Sequence, residues 1–226
     1  MYDRSGIIEK FMGIEREMID CTDYGHCREI CPGSARMDSQ NPPFPDFVGR
    51  RYAGLVIIGA NPGTSSTEAF KRQDLEFNAR MDNLRKSGSL EDYNALLDYR
   101  NDASRSWTRT LCNEEYRRLL GYDLETVAFV NIVKCRTFEP KADLFQNVGK
   151  EIPKRCYGKY LERQLSILKP RYVVCQWKPI QRTLAALGYD FNGAKVGSFN
   201  GQRNLPNGQK IAEVARIFEE FLSDLD

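Results

Sequence analysis

Three short runs of apolar, β-branched residues limit the folds open to this chain. They are residues 54–59 (GLVIIG), 126–134 (TVAFVNIVK) and 172–176 (YVVCQ). Each is continuous rather than alternating, the mark of a strand covered on both faces. A fourth run, 194–199 (AKVGSF), fits a shorter strand. Helical patterns lie between them: 6–20, two helices within 66–100 broken at 87–89, 110–120, 153–168, 180–187 and 209–224. The alternation predicts an α/β fold, a three-layer αβα sandwich on a central, mainly parallel four-stranded sheet. Residues 1–226 are expected to form one domain, with a helical insertion at about 64–105. In such folds ligands bind at the carboxyl ends of the strands.

Hydrophobic residues make up 41% of the chain, enough for a core, and the net charge is only +2. A protein that grips DNA by charge alone carries a larger excess, although a near-neutral chain can still have a basic face. No apolar run is long enough to span a membrane, and the first residues lack a signal-peptide core. A cytoplasmic, monomeric protein is expected. In that compartment the seven cysteines point to metal ligation, catalysis or burial rather than a disulfide framework. The single histidine, His26, excludes any mechanism or zinc site that needs two.

Two polar motifs fall at strand ends. The first is Gly59-Ala60-Asn61-Pro62-Gly63, a turn that brings backbone close to a ligand, with one asparagine able to hold a water. It is equally compatible with an ordinary βα turn, and it lacks the lysine of a phosphate-binding loop. The second places Asn131 among apolar strand residues, ahead of Lys134, Cys135 and Arg136. A buried asparagine needs partners for its carbonyl and its amide. Those groups suit either a backbone tie or the edge of a pyrimidine. Cys27, Cys31, Cys135 and Cys156 form a set able to bind a [4Fe–4S] cluster or zinc, or simply to lie scattered through the core. Cys21 is an alternative to Cys27. Cys112 and Cys175 fall within a helix and a strand and read as core.

In their order, IIGANPG, FVNIVKCR and CYGKYLERQLSILKPRYVV resemble the uracil-DNA glycosylase superfamily, and are closest to its iron–sulfur type. That type carries a paired-cysteine loop with Cys-Pro, a strand ending in Gly-x-x-Pro-Gly, then Asn-x-x-Lys-Cys-Arg, a helix opening with cysteine, and Lys-Pro before a third strand. Here these are Cys27 and Cys31-Pro32, Gly59 to Gly63, Asn131 to Arg136, Cys156, and Lys169-Pro170. The resemblance covers about residues 21–63 and 107–180. It implies a [4Fe–4S] cluster on Cys27, Cys31, Cys135 and Cys156, and DNA, duplex or single-stranded, as partner. Two departures stand out. Asn61 replaces the usual glutamate, and the histidine-proline pair near the C-terminus gives way to Gly197-Ser198-Phe199-Asn200-Gly201-Gln202-Arg203.

The activity implied is hydrolytic excision of a flipped base, leaving an abasic site. Asn61 would position the water, and Asn131 would read the pyrimidine beside Gly59, Ala60 and Gly63. Trp107 or Phe70 would stack on it, unless these rings are core. Ser198, Asn200 or Arg203 would take over the missing histidine's support of the departing base, or the 197–204 loop would act as a wedge on the duplex. Lys134, Arg136 and Arg155 are expected near the DNA backbone or in solvent. The base is uracil by kinship. A phage-modified cytosine, as in antiviral defence, and a non-catalytic iron–sulfur DNA-binding module are the alternatives. No lysine is marked out as a Schiff-base nucleophile.

Overall fold

The computed structural model describes residues 4–31, 43, 46–62, 68–102, 114–135, 150–191, 193–199 and 204–225. It is a mixed α/β structure around one five-stranded, mostly parallel sheet. The strands are β1 (Phe47–Val48), β2 (Leu55–Gly59), β3 (Val127–Asn131), β4 (Tyr172–Cys175) and β5 (Lys195–Ser198), and their order across the sheet is β1-β3-β2-β4-β5. The four expected strands are all present and mutually parallel. The count differs: β1 adds a fifth strand, antiparallel to β3, with Phe47 opposite Phe129. Two residues after a proline-rich stretch carry too short a pattern to announce a strand.

The helices are α1 (Arg4–Ile19), α2 (Tyr24–Ile30), α3 (Glu68–Ser87), α4 (Leu90–Asp102), α5 (Glu114–Leu120), α6 (Glu151–Cys156), α7 (Glu162–Leu168), α8 (Lys178–Ala186) and α9 (Asn207–Ser223). A π-helical turn, Tyr157–Leu161, joins α6 to α7. Such turns widen a helix by one residue and recur at functional sites. Helix α2 sits where the sequence reads as a cysteine-rich loop, because seven residues give too little periodicity to detect. Lys169 (φ 42) caps α7 in the left-handed region just before Pro170.

Every residue of β2, β3 and β4 is buried, as the continuous apolar runs require. Helix α9 packs on β4 and β5, and α8 on β4. The expected insertion is not a solvated appendage. Helices α3 and α4 pack on each other and on α1, and they send Phe77, Met81, Leu84, Tyr93, Leu96 and Leu97 into the main core. Each such side chain contributes about 1.5–3 kcal/mol on burial, so the two helices are part of what stabilises the sheet.

The turn after β1 is fixed by close backbone packing. Gly49 donates its N–H to Val127 O at 2.9 Å. A Cβ there would lie 2.5 Å from the backbone oxygen of Leu124 and closer still to that of Glu125. Backbone cannot swing aside as a side-chain end can. Gly49→Ala is therefore expected to lower stability by about 1–3 kcal/mol, read as a lower urea midpoint with an unchanged slope.

Candidate functional site

The carboxyl ends of β2, β3 and β4 meet at one level of the sheet. Gly59 pairs with Asn131, and Ile58 accepts a hydrogen bond from Gln176 N at 2.9 Å. A Cβ on Gly59 would stand 2.5 Å from Asn131 Oδ1 and 3.1 Å from Gln176 Oε1. The bare glycine thus lets two side-chain carbonyls converge over the backbone. Ile132 N and Val133 N donate to Gly59 O and Ala60 O at 3.0 and 2.9 Å, extending the β2–β3 ladder into the motif. Ala60 is buried and Asn61 half-buried. Asn61 Nδ2 donates to Pro62 O at 3.1 Å.

Asn131 is held by a network of buried charge. Asp46 Oδ1 accepts from Asn131 N at 2.9 Å and from Asn131 Nδ2 at 3.4 Å. Lys134 Nζ donates to Asp46 Oδ2, to Asn131 O at 2.6 Å and to Gln164 Oε1 at 2.7 Å. Gln164 Nε2 donates to Glu15 Oε1 at 2.6 Å, and Asp46 N to Glu15 Oε2 at 2.7 Å. Glu15, Asp46 and Gln164 are fully buried, Lys134 is 1% exposed and Asn131 3%. Charges so deep persist only when paired and hydrogen-bonded. This corrects the expectation that Lys134 faces DNA or solvent: its three donors are all used internally. Arg155 is on the surface, paired with Glu151 at 2.7 Å.

Ser198 does not join this group. It pairs with Cys175, which pairs with Ile58, which pairs with Val130. Directly paired residues share a face and successive residues alternate. Ser198 therefore lies, buried, on the face opposite Gly59 and Asn131. His26 is also elsewhere, exposed on α2 and 3.5 Å from Glu151. Gly63, Trp107, Asn200, Arg203, Arg136, Cys112 and the side chain of Phe70 lie outside the described residues.

Beside the network is a cavity lined by Cys21, Cys27, Cys135 and Cys156, with Lys134, Arg155, Lys159 and Tyr160 on its wall. Cys27, Cys135 and Cys156 were expected together, and they are. Cys31 is half-buried and off the lining, although its field reaches Cys135. Burial pushes the Cys27 thiol up to about 11, with Cys21 and Asp23 adding to the effect. Burial pushes Cys156 up to about 12 against the opposing pull of the Lys134 backbone N–H. Cys135 is raised well above the usual thiol range by burial and by Cys156, Cys21, Cys27 and Cys31. Cys175 is raised to about 12 by burial alone, consistent with its expected place in the core. Among the described residues no three His, Cys, Asp or Glu side chains converge on one ion position; the thiols line the cavity instead.

Asp46, Glu15, Gln164 and Gln176 were not singled out by sequence. Gln176 carried a usable signal, a polar residue closing an apolar strand, as Asn131 does. The other three had none, because their partners are remote in sequence. Among the described residues no helix is long and apolar enough to cross a membrane. No protein-family model matches the chain, and no curated protein matches its sequence.

Removing one partner of the buried ion pair tests this arrangement. Asp46→Leu leaves the Lys134 ammonium without its carboxylate and is expected to cost about 3–5 kcal/mol. The double variant Asp46→Leu, Lys134→Met should recover much of that loss. Chemical denaturation of the three chains in parallel gives the comparison.

Proposed function

We propose that this protein is a DNA glycosylase of the uracil-DNA glycosylase kind, which hydrolytically excises a flipped pyrimidine. The observation that carries the reading is the convergence of Asn131 and Gln176 over the bare backbone of Gly59, at the carboxyl end of a parallel sheet and next to a cavity lined by four thiols. Polar side chains aimed at a place where only backbone stands suit the edge of a flat base. The order of the motifs supports the same family. The layering that goes with it is a three-layer αβα sandwich on the four parallel strands.

The donor set suits a [4Fe–4S] cluster. Four neutral thiols shut in together gain nothing from one another, and their thiolates repel. Iron resolves this by taking the thiolates as ligands. Lys134, Arg155 and Lys159 on the cavity wall would offset the negative charge of such a cluster. Cys21, Cys27, Cys135 and Cys156 would hold the group, with Cys21 taking the place given to Cys31 by resemblance. When bound, the cluster would supply structure, joining Cys21 after α1 and Cys27 within α2 to Cys135 after β3 and Cys156 at the end of α6.

In the proposed reaction the C1′–N bond breaks and a C1′–O bond forms to water; the base departs with the bonding electrons and, directly or through solvent, takes up the proton the water loses. Asn61 orients that water through its carbonyl. An asparagine is no general base, so the rate enhancement comes from placement and electrostatics. Asn131 and Gln176 hold the base edge. Ser198, on the other face of the sheet, is set aside from this step, which leaves Asn200 and Arg203 to support the departing base. DNA backbone contacts would make binding salt-sensitive.

Incubation with DNA containing uracil or a modified cytosine, scored for alkali-labile abasic sites, tests the activity. Asn61→Ala and Asn131→Ala are each expected to slow excision by about 10²-fold. Intact binding without abasic sites would instead favour a non-catalytic DNA-binding module. For the cluster, the expected content is about four irons per chain with visible iron–sulfur absorption. Cys21→Ala should lose the iron and Cys31→Ala keep it; colourless, zinc-loaded wild-type protein would contradict the cluster.

A further inference from the structure

We propose that Asp46 sets the base selectivity of this site. It holds Asn131 so that two carbonyl oxygens face the ligand, and the site takes a pyrimidine through an exocyclic amino group. The inference rests on the glycosylase reading above and narrows its substrate to the cytosine class.

A carboxylate oxygen paired to an ammonium accepts hydrogen bonds and donates none. Asp46 carries the Lys134 ammonium on Oδ2, and its Oδ1 already accepts from Asn131 N at 2.9 Å. The Asn131 side-chain group turned toward Oδ1 is therefore the amide Nδ2, at 3.4 Å. Flipping the carboxamide would set oxygen against oxygen beside a carboxylate that the network cannot move. Asn131 Oδ1 is thereby turned to Gly59. Gln176 Oε1 approaches the same point, 3.1 Å from where a Gly59 Cβ would stand against 2.5 Å for Asn131 Oδ1. Neither oxygen accepts a hydrogen bond from a described residue.

Two neighbouring acceptors match one amino group, which offers two hydrogens. Cytosine presents such a group at N4, where uracil, like thymine, presents the O4 acceptor. Uracil has a single N3–H set between two carbonyls, so one of its oxygens would meet a side-chain oxygen. A site built around a ligand N–H rejects an analogue lacking it by about 10⁴–10⁵-fold. A buried brace with no role in recognition would act otherwise, changing stability and all excision rates together.

The test uses the full-length protein and duplex oligonucleotides that differ only in one base: uracil, cytosine or 5-hydroxymethylcytosine. Single-turnover formation of alkali-labile sites gives the rates. At least one amino-bearing base is expected to leave faster than uracil by about 10⁴-fold or more. Asp46→Asn offers Asn131 a donor as well as an acceptor and frees its carboxamide to flip. It is expected to narrow that ratio by at least about tenfold, one hydrogen bond's worth. Gln164→Leu cuts the network two links away, so it should lower Tm and leave the ratio in place. Should Asp46→Asn fail to fold, Gln176→Leu lies outside the network and is likewise expected to narrow the ratio about tenfold. Wild-type protein that excises uracil as fast as either amino-bearing base overturns the inference and leaves the glycosylase reading standing. Equal slowing of all substrates by Asp46→Asn overturns the role of Asp46. Absence of abasic sites on every substrate overturns the glycosylase reading, and this inference with it.

Discussion

The buried pairing of Lys134 with Asp46 is the contact on which the rest of the site depends. Neither residue has any appreciable exposure, so each charge is tolerable only because the other is present. The pair draws together four parts of the chain: Glu15 from α1, Asp46 ahead of β1, Asn131 with Lys134 at the end of β3, and Gln164 from α7. An apolar core of the same volume is often about as stable as a buried ion pair. What the charged version adds is direction. It turns a carboxamide one way at the end of a strand, and hydrophobic packing alone does not distinguish an oxygen from an amide nitrogen.

Lys134 also joins the two halves of the candidate site. Its ammonium serves the Asn131 network, and the residue also lines the thiol cavity beside Cys135 and Cys156. Only three residues separate Asn131 from Cys135. Whatever orders the four thiols therefore orders the end of β3, and with it the side chain proposed to read the base. A cluster bound there would act on recognition through position, with no part in the bond-breaking step.

Much of this was legible in the sequence, for physical reasons. Continuous apolar runs gave all four parallel strands, since a strand covered on both faces has no polar side to obscure the pattern. Asn131 stood out because a polar residue in such a run needs an explanation. The missing parts were those that depend on distant contacts. Asp46 is separated by 85 positions from Asn131, and Glu15 by 149 from Gln164, so no local pattern links them. Lys134 looked like a surface cation because isolated lysines usually are. Cys21 reads in sequence only as an alternative to Cys27, yet both line the cavity and Cys31 does not, an arrangement that depends on how α2 folds and that spacing does not encode. Strand β1 was too short to leave a period, and Ser198 was displaced from the site by strand register alone.

The central claim is that this sheet end reads a base and the protein then cuts it free. Mass spectrometry of the small-molecule fraction, after incubation with base-modified DNA, tests it most directly. The account predicts a free pyrimidine base released in equal amount with abasic sites, and its loss in Asn131→Ala. DNA bound with every base still attached would contradict it.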